Sequence, residues 1–200
     1  MNTARDLAIT ALDAPPGRSV EQGDLSLALA GAEVLDLVEA GALTLDDDRL
    51  VPGTATATGD RLLDEAAAAL LRKEPYETVT DWLWRRGSGL ASAYVDDLEQ
   101  TGPATRGRGP RFPLRSGRTA PVGSPARARA EERRTSGEPV LATLAAAAGI
   151  DEPAGTAEDL TDDTVTTVLA AVGDAVMELE AVRQRRSIED SAFDNVWRGF

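Results

Sequence analysis

The sequence predicts an all-α fold that carries one small β-hairpin. Along most of the chain, leucine, valine and alanine recur at steps of three and four residues, the spacing of one face of an α-helix. Aromatic residues make up only 4% of the 200 residues, whereas 42% are hydrophobic. A core built mainly from aliphatic side chains favours helix packing over a β-sandwich. The length suits one domain, so we expect residues 1–200 to form a single unit.

Two helices and the hairpin are predicted in the first quarter of the chain. The first helix covers residues 4–14, because the two prolines and the glycine that follow cannot continue a helix. The second covers residues 23–39, and Gly41 is placed to end it in the left-handed conformation. Residues 42–51 alternate on both sides of three consecutive aspartates, which predicts a hairpin with an acidic turn.

A third helix is predicted after Thr58-Gly59-Asp60. The Asp60 side chain can accept hydrogen bonds from the free amides at the start of this helix, and Pro75 is expected to end it. Structural capping is a better interpretation of Asp60 than phosphate binding, because an aspartate at this position would repel an anion. Two shorter helices, over 76–86 and 90–101, are predicted to follow.

The second half of the chain is predicted to begin with a loop. Residues 103–126 are rich in proline, glycine and arginine, which is typical of an irregular segment. Helices are expected to resume over 126–134 and 137–149, and a long last helix runs from Thr161 and breaks near Ser187. The apolar tail residues have helical spacing and are expected to pack on the bundle, with anchoring to a partner or a membrane as the alternative. They are Phe193, Val196, Trp197 and Phe200.

The composition disfavours most classes of enzyme. The chain has no cysteine and no histidine, so it lacks the residues of disulfides and thiolate zinc sites, the commonest general base and the commonest metal ligand. We therefore predict a non-enzymatic protein without a cofactor. The first six residues do not resemble a secretory signal, and no apolar run approaches the roughly 20 residues of a membrane-spanning helix. These features predict a cytoplasmic protein.

The charge is distributed unevenly along the chain. The net charge is −13, which argues against nucleic-acid binding by the whole surface. Between Pro103 and Arg134, however, nine arginines stand against two glutamates, a balance of +7 that leaves −20 on the remaining residues. The sequence thus predicts one basic patch on an acidic body. Twenty arginines against one lysine is the usage of a GC-rich bacterial genome.

Three segments resemble the Golgi phosphoprotein 3 family, in the form of an actinobacterial-type member. They are Leu29-Ala30-Gly31-Ala32-Glu33-Val34-Leu35-Asp36-Leu37-Val38-Glu39-Ala40-Gly41-Ala42-Leu43, Thr58-Gly59-Asp60-Arg61-Leu62-Leu63-Asp64-Glu65-Ala66 and Val79-Thr80-Asp81-Trp82-Leu83. The second is the most specific, and the third lies at the family's distance from it. When the stretches between them are counted as well, the three segments extend the resemblance over roughly residues 4–102. The resemblance implies a compact, mostly helical fold around a central helix bundle.

The resemblance also implies a function at a membrane surface. The eukaryotic relatives bind phosphatidylinositol 4-phosphate and connect Golgi membranes to partner proteins. Their lipid pocket uses a tryptophan, an arginine of the early helix and two basic residues of a later helix. The corresponding positions here are Glu21, Ala30, Ser88 and Ala91, so none of the four residues matches. Arg85 and Arg86 lie about one helical turn from the later pair and are candidate substitutes in lipid binding.

The arginine-rich loop is the main candidate for membrane contact. Guanidinium groups pair well with phosphate. Each basic residue near an anionic membrane contributes about 1 kcal/mol of favourable binding free energy. Two apolar side chains stand among the arginines and could enter the interface. The candidate lipid-binding residues are Arg106, Arg108, Arg111, Phe112, Leu114, Arg115 and Arg118. The partner would be anionic phospholipid, with phosphatidylinositol 4-phosphate as one candidate, at the inner face of the plasma membrane. The alternative for this stretch is a solvated loop without membrane contact.

Two other classes of function stay open at this stage. The first is a cytoplasmic scaffold whose acidic body binds a protein partner without any lipid. The second is a winged-helix DNA-binding protein, because residues 25–51 combine a helix, a glycine and a short hairpin. The second is disfavoured, since residues 23–41 contain four acidic residues and no lysine or arginine.

Overall fold

The computed structural model describes residues 2–15, 20–54, 57–101, 124–152 and 162–197, with side chains of the last helix described as far as residue 189. Most of the described residues are helical and the only strands among them form a small two-stranded antiparallel sheet, which confirms the predicted fold class. The helices are α1 (Thr3–Leu12), α2 (Gln22–Glu39), α3 (Arg61–Ala69), α4 (Val79–Arg86), α5 (Leu90–Thr101), α6 (Pro125–Thr135), α7 (Pro139–Ala147) and α8 (Asp163–Trp197). The strands are β1 (Leu43–Asp46) and β2 (Arg49–Pro52).

Helix α2 forms the centre of the core. Its residues 25–34 are all buried, and it contacts α1, α3, α4, α5, α7 and α8. Two glycines allow the close approach of α8. A Cβ atom at Gly31 would lie 2.4 Å from Val172 Cγ2, and one at Gly23 would lie 2.7 Å from Leu179 Cδ2. Both contacts are too short for a methyl group, so small residues on this face of α2 set the distance between the two helices.

The hairpin lies where the sequence predicts it and is fixed to the segment before α4. Strands β1 and β2 pair antiparallel in a register that places Leu45 opposite Leu50. The Leu50 amide donates to the Glu77 carbonyl at 2.9 Å, and the Val79 amide donates to the Asp48 carbonyl at 2.8 Å. The glycine at residue 41 has a φ of 67°, which confirms the left-handed helix end.

Three predicted helix boundaries were wrong. Helix α3 ends at Ala69 instead of continuing to Pro75, because the backbone is already extended at Leu70. Helix α4 begins at Val79, since the Thr78 side chain accepts a hydrogen bond from the Asp81 amide at 3.1 Å and so defines the start of the helix.

The third correction concerns α8. This helix continues through Ser187, where we had predicted a break, as far as Trp197. A single serine in a helix costs less than about 0.7 kcal/mol relative to alanine. No glycine or proline stands between residues 174 and 197 to end the helix. Within the described ranges, no helix is both long enough and apolar enough to cross a membrane.

Candidate functional site

Arg86, a candidate lipid-binding residue, is directed into the protein. Its Nε and Nη2 atoms donate to the two carboxylate oxygens of Glu33 at 2.8 and 2.9 Å, and Nη2 also donates to the Leu62 carbonyl at 3.1 Å. The Tyr94 hydroxyl donates to the same carboxylate at 3.2 Å. Glu33 is fully buried, and this burial raises its pKa although the Arg86 guanidinium opposes the shift. The pair joins α2 to the end of α4 inside the core.

Arg85, the other candidate on α4, has different partners. Its Nε and Nη2 atoms each donate to the Glu77 carboxylate at 2.7 Å, and Nη2 also contacts the Ala69 carbonyl at 3.2 Å. The guanidinium carbon lies 5.2 Å from the centre of the Trp82 ring, which permits a cation–π contact. The side chain remains 43% exposed. The two arginines therefore bind separate carboxylates and do not form one basic site.

The basic residues of α6 are used to attach this helix to α1. Asp6 is fully buried, and its carboxylate accepts from Arg129 Nη2 at 2.9 Å and from Arg133 Nη1 at 2.8 Å. Arg133 Nη2 also lies 2.8 Å from the Glu138 carboxylate. These ion pairs hold two arginines of α6 against the surface of α1.

The remaining two arginines of α6 also have carboxylate partners. Arg127 pairs with Asp13, and Arg134 pairs with Glu131 at 3.1 Å. Four of the nine arginines between residues 103 and 134 are thus paired with carboxylates of the protein. The prediction that all nine form one basic patch was therefore wrong for these four. The other five, and the two apolar residues among them, lie outside the described residues. They are Arg106, Arg108, Arg111, Phe112, Leu114, Arg115 and Arg118.

An open pocket of about 460 Å³ lies where the start of α2, the turn between α4 and α5, and α8 meet. Sequence reasoning missed it, because the Gly87-Ser88-Gly89 turn was interpreted only as a break between two helices. Nothing in the sequence shows that residue 179 lies beside residues 22 and 88. The residues that line the pocket are Gln22, Gly23, Ser26, Leu27, Trp84, Gly87, Ser88, Gly89, Ser92 and Leu179.

Hydrogen bonds hold the polar wall of this pocket together. Gln22 Nε2 donates to Ser92 Oγ at 2.5 Å, which links the first turn of α2 to α5. The Ala91 amide donates to Ser26 Oγ at 3.1 Å. A Cβ at Gly87 would lie 3.3 Å from the Ser26 carbonyl oxygen of α2 and only 2.5 Å from the Leu83 carbonyl oxygen of α4. The chain therefore needs glycine at this point to form the pocket.

The family's lipid-pocket positions lie partly beside this pocket. Ser88 lines it, and Glu21 immediately precedes the lining residue Gln22. Ala91 is buried and contributes the amide that fixes Ser26. Ala30 is also buried, and its carbonyl accepts from Trp82 Nε1 at 3.2 Å, so this position belongs to the core.

The Thr58-Gly59-Asp60 motif has the capping role that the sequence predicts. Asp60 Oδ1 accepts from the amides of Leu62 and Leu63 at 3.0 and 3.1 Å. Its other oxygen lies 2.9 Å from Arg5 Nη1, which joins α3 to α1. Both carboxylate oxygens of Asp60 thus already accept hydrogen bonds from donors of the protein itself. In the described part of the chain, no group of three or more acidic side chains is arranged to hold a metal ion.

Comparison with known proteins places the chain in a family. No curated protein and no solved structure matched it. The model of the family described as Golgi phosphoprotein 3 (GPP34) matches residues 4–187, well beyond residue 102, where the resemblance of the three sequence segments ends. Since this match covers nearly the whole chain, the protein belongs to the Golgi phosphoprotein 3 family.

Proposed function

We propose that the protein is a non-enzymatic peripheral membrane protein that binds anionic phospholipid through its arginine segment, residues 102–123. The observation that carries the proposal is the division of the arginines. The four on α6 are paired with carboxylates of the fold, whereas the arginine segment contains five arginines and no acidic residue. Family membership supports a role at membranes, because its eukaryotic members act there.

The expected binding energy is sufficient for reversible attachment. Five arginines near an anionic surface contribute up to about 5 kcal/mol, at roughly 1 kcal/mol each. The other residues carry a net charge of −18 and are repelled by the same surface. At physiological salt this repulsion is screened beyond about 8 Å, so acidic groups farther than this from the membrane oppose binding only weakly. The segment should therefore approach the lipid first and orient the domain.

We do not expect the protein to select phosphatidylinositol 4-phosphate over other anionic lipids. The four pocket positions of the inositide-binding relatives carry other residues here, and Arg86 is bound to Glu33 inside the core. Attraction by the arginine segment depends on the charge density of the membrane and not on one headgroup. Binding should thus respond to the total anionic lipid content.

Liposome co-sedimentation tests the proposal. The wild type should bind vesicles of phosphatidylcholine mixed with phosphatidylserine or phosphatidylglycerol, bind more weakly at physiological salt than at low salt, and ignore pure phosphatidylcholine. Arginines 106, 108, 111, 115 and 118 changed to serine should abolish binding. The matched control changes five exposed basic residues outside the segment to serine and should retain most of the binding. These residues are Arg49, Arg72, Lys73, Arg185 and Arg186.

The comparison between the two variants decides the result, because both lower the net charge by five. An equal loss in both would show that only net charge matters and would contradict a specific contact segment. Selective binding to vesicles doped with phosphatidylinositol 4-phosphate would contradict the expected response to total charge. No binding at either salt concentration would overturn the membrane proposal and favour a protein-binding scaffold with an acidic surface.

A further inference from the structure

Helix α8 extends beyond the point where it meets the start of α2. There Arg183 pairs with Asp24, in the first turn of α2, at 2.8 Å. The side chains of residues 184–189 are all exposed, and the helix continues to Trp197. Since an α-helix rises about 1.5 Å per residue, the residues after Arg183 lengthen α8 by roughly 21 Å. Residues 184–197 are called the α8 extension below.

The sequence of the α8 extension is a poor helix former without packing. Serine, aspartate and asparagine have low helix propensity, because their side chains compete for backbone hydrogen bonds. The extension contains Ser187, Asp190, Ser191, Asp194 and Asn195. Most helical stability in proteins comes from the packing of one apolar face. A second surface packed against the extension would therefore stabilise it.

One seam of α8 continues from the core into the extension. Its positions follow one another at alternating steps of three and four residues, the heptad spacing of helices that pair. Within the bundle this seam is buried, with Val168, Val172 and Ala175 at 0%, 1% and 2% exposure. Farther along, the seam consists of Leu179, Val182, Arg186, Glu189, Phe193 and Val196. The apolar pattern is thus interrupted by two residues of opposite charge.

Two copies of this seam match when the helices run antiparallel. With a two-fold axis between residues 187 and 188, Arg186 of each copy lies opposite Glu189 of the other. The same register places Val182 opposite Phe193. Two ion pairs then form the centre of the contact, with an apolar layer on either side. A parallel pair in register would instead place arginine against arginine and glutamate against glutamate, which is unfavourable.

The charges of the α8 extension favour a second copy over an anionic membrane. Its second half carries Glu189, Asp190 and Asp194, which anionic headgroups would repel. Its first half carries Arg185 and Arg186. In the antiparallel arrangement, the basic half of each copy lies beside the acidic half of the other, so the two charge distributions are complementary.

The body of the protein leaves room for the end of a second helix. In this register Leu179 lies opposite Val196 of the other copy. Leu179 is half-buried and lines the open pocket beside the start of α2, and Val182 is also half-buried. The last turn of the second helix can therefore lie along α8 at the mouth of this pocket.

We propose that the protein forms a two-fold symmetric dimer through antiparallel pairing of the α8 extensions, with Arg186 of each copy bound to Glu189 of the other. The seam that α8 buries in its own bundle thus continues as the interface between two copies. Dimerisation does not depend on membrane binding by the arginine segment, so it can be measured without lipid.

Sedimentation equilibrium of the full chain tests the dimer. At micromolar concentration the wild type should approach twice the monomer mass of 21.0 kDa. Phe193→Asp should give a monomer, because it places a carboxylate in an apolar layer. Ile188→Asp is the matched control, since Ile188 is 67% exposed and lies outside the seam, and it should leave the mass unchanged.

Two results of this experiment would overturn the proposal. Equal loss of the dimer in Phe193→Asp and Ile188→Asp would show that the seam is not the interface. A monomeric wild type would exclude the dimer, and loss of vesicle binding by Phe193→Asp in that case would favour a membrane anchor.

Charge reversal tests the central layer. Arg186→Glu and Glu189→Arg, each alone, place like charges opposite one another and should weaken dimerisation at least about tenfold. An equimolar mixture of the two variants restores both ion pairs and should form a dimer. A variant that had only misfolded would not recover in this way. Without recovery in the mixture, the assigned pair would be wrong.

Spin labels determine the orientation of the two helices. The chain has no cysteine, so Asp174→Cys creates a single labelling site at an exposed position of α8. In the antiparallel register the two labelled positions are roughly 40 Å apart along the helix axis. In a parallel pair they would be separated by little more than the interaxial distance of about 10 Å. A distance near this lower value in the dimer would overturn the antiparallel arrangement.

Discussion

The guanidinium of Arg86 and the carboxylate of Glu33 form a two-point ion pair in the core, with N–O distances of 2.8 and 2.9 Å. Glu33 is fully buried and Arg86 is 17% exposed. A charge in this environment is tolerated because its partner is present, and removal of one partner leaves the other uncompensated. The pair thus explains why a basic residue stands next to Arg85 without adding to a lipid-binding surface.

Arg86→Ala should lower the free energy of unfolding by about 3–5 kcal/mol, because Glu33 would keep a buried carboxylate without its ion-pair partner. Arg134→Ala is the control, because it breaks an exposed pair in which Arg134 is 41% exposed and its partner Glu131 is 55% exposed. Its loss should cost much less, about 1 kcal/mol or below. Urea denaturation followed by circular dichroism measures both values. Equal losses in the two variants would contradict the structural role of Arg86.

Asp6→Ala should detach α6 from α1. The substitution removes the shared carboxylate of Arg129 and Arg133 and leaves Arg133, which is 11% exposed, with Glu138 and a long hydrogen bond of 3.4 Å to the Thr3 hydroxyl. We expect a loss of about 2–4 kcal/mol. Asp13→Ala breaks the partly exposed pair with Arg127 and should cost about 1 kcal/mol or less. Hydrogen exchange should show faster exchange in α6 for the first variant only; unchanged exchange there would show that other contacts hold the helix.

The local parts of this structure could be predicted from the sequence, because their causes lie within a few residues. Glycine at position 41 and the Asp60 cap are examples, since each acts on amides or carbonyls of its own helix end. The partners of Asp6 could not be predicted. They lie more than 120 residues away along the chain, and an arginine-rich sequence gives no sign of which arginines are bound within the protein.

The pocket could not be predicted for a related reason. Its hydroxyls come from α2, the α4–α5 turn and α5, and serine is common at helix starts and in turns for purely local reasons. Trp82 is fully buried, whereas Trp84 is 38% exposed. This difference follows from their separation by two residues on a helix, but the residues that surround Trp84 depend on how α8 packs. A sequence pattern can thus indicate which tryptophan faces outward, but not what lies beside it.

Stability should depend on the protonation of Asp36. Its carboxylate accepts from the amides of Thr3 and Ala4 at 2.8 and 2.9 Å, yet burial raises its pKa to about 6. The folded protein therefore holds a proton that the unfolded chain releases between pH 4 and 6. The stabilisation from this group is complete below the unfolded pKa and is lost as the pH rises through about 6.

Asp36→Asn removes this titration and so tests it. Between pH 7 and pH 5, the wild type should gain about 1 kcal/mol relative to the variant. Equilibrium unfolding in urea at several pH values gives the difference, and the other carboxylates affect both proteins alike. A difference that stays constant from pH 7 to pH 5 would show that Asp36 does not titrate in this range.

The spacing of α2 and α8 should depend on Gly31. A methyl group at this position would lie 2.4 Å from Val172 Cγ2, and both atoms are enclosed by the core, so one helix must shift. Gly31→Ala should therefore lower the free energy of unfolding by about 1–3 kcal/mol, despite the better helix propensity of alanine. Gly173→Ala is the matched control on the facing helix, where a Cβ would meet no atom within 4 Å. It should be neutral or stabilising by up to about 1 kcal/mol. Stabilisation by both substitutions would mean that the α2–α8 interface can open without cost, and that glycine on α2 does not set the distance between the helices.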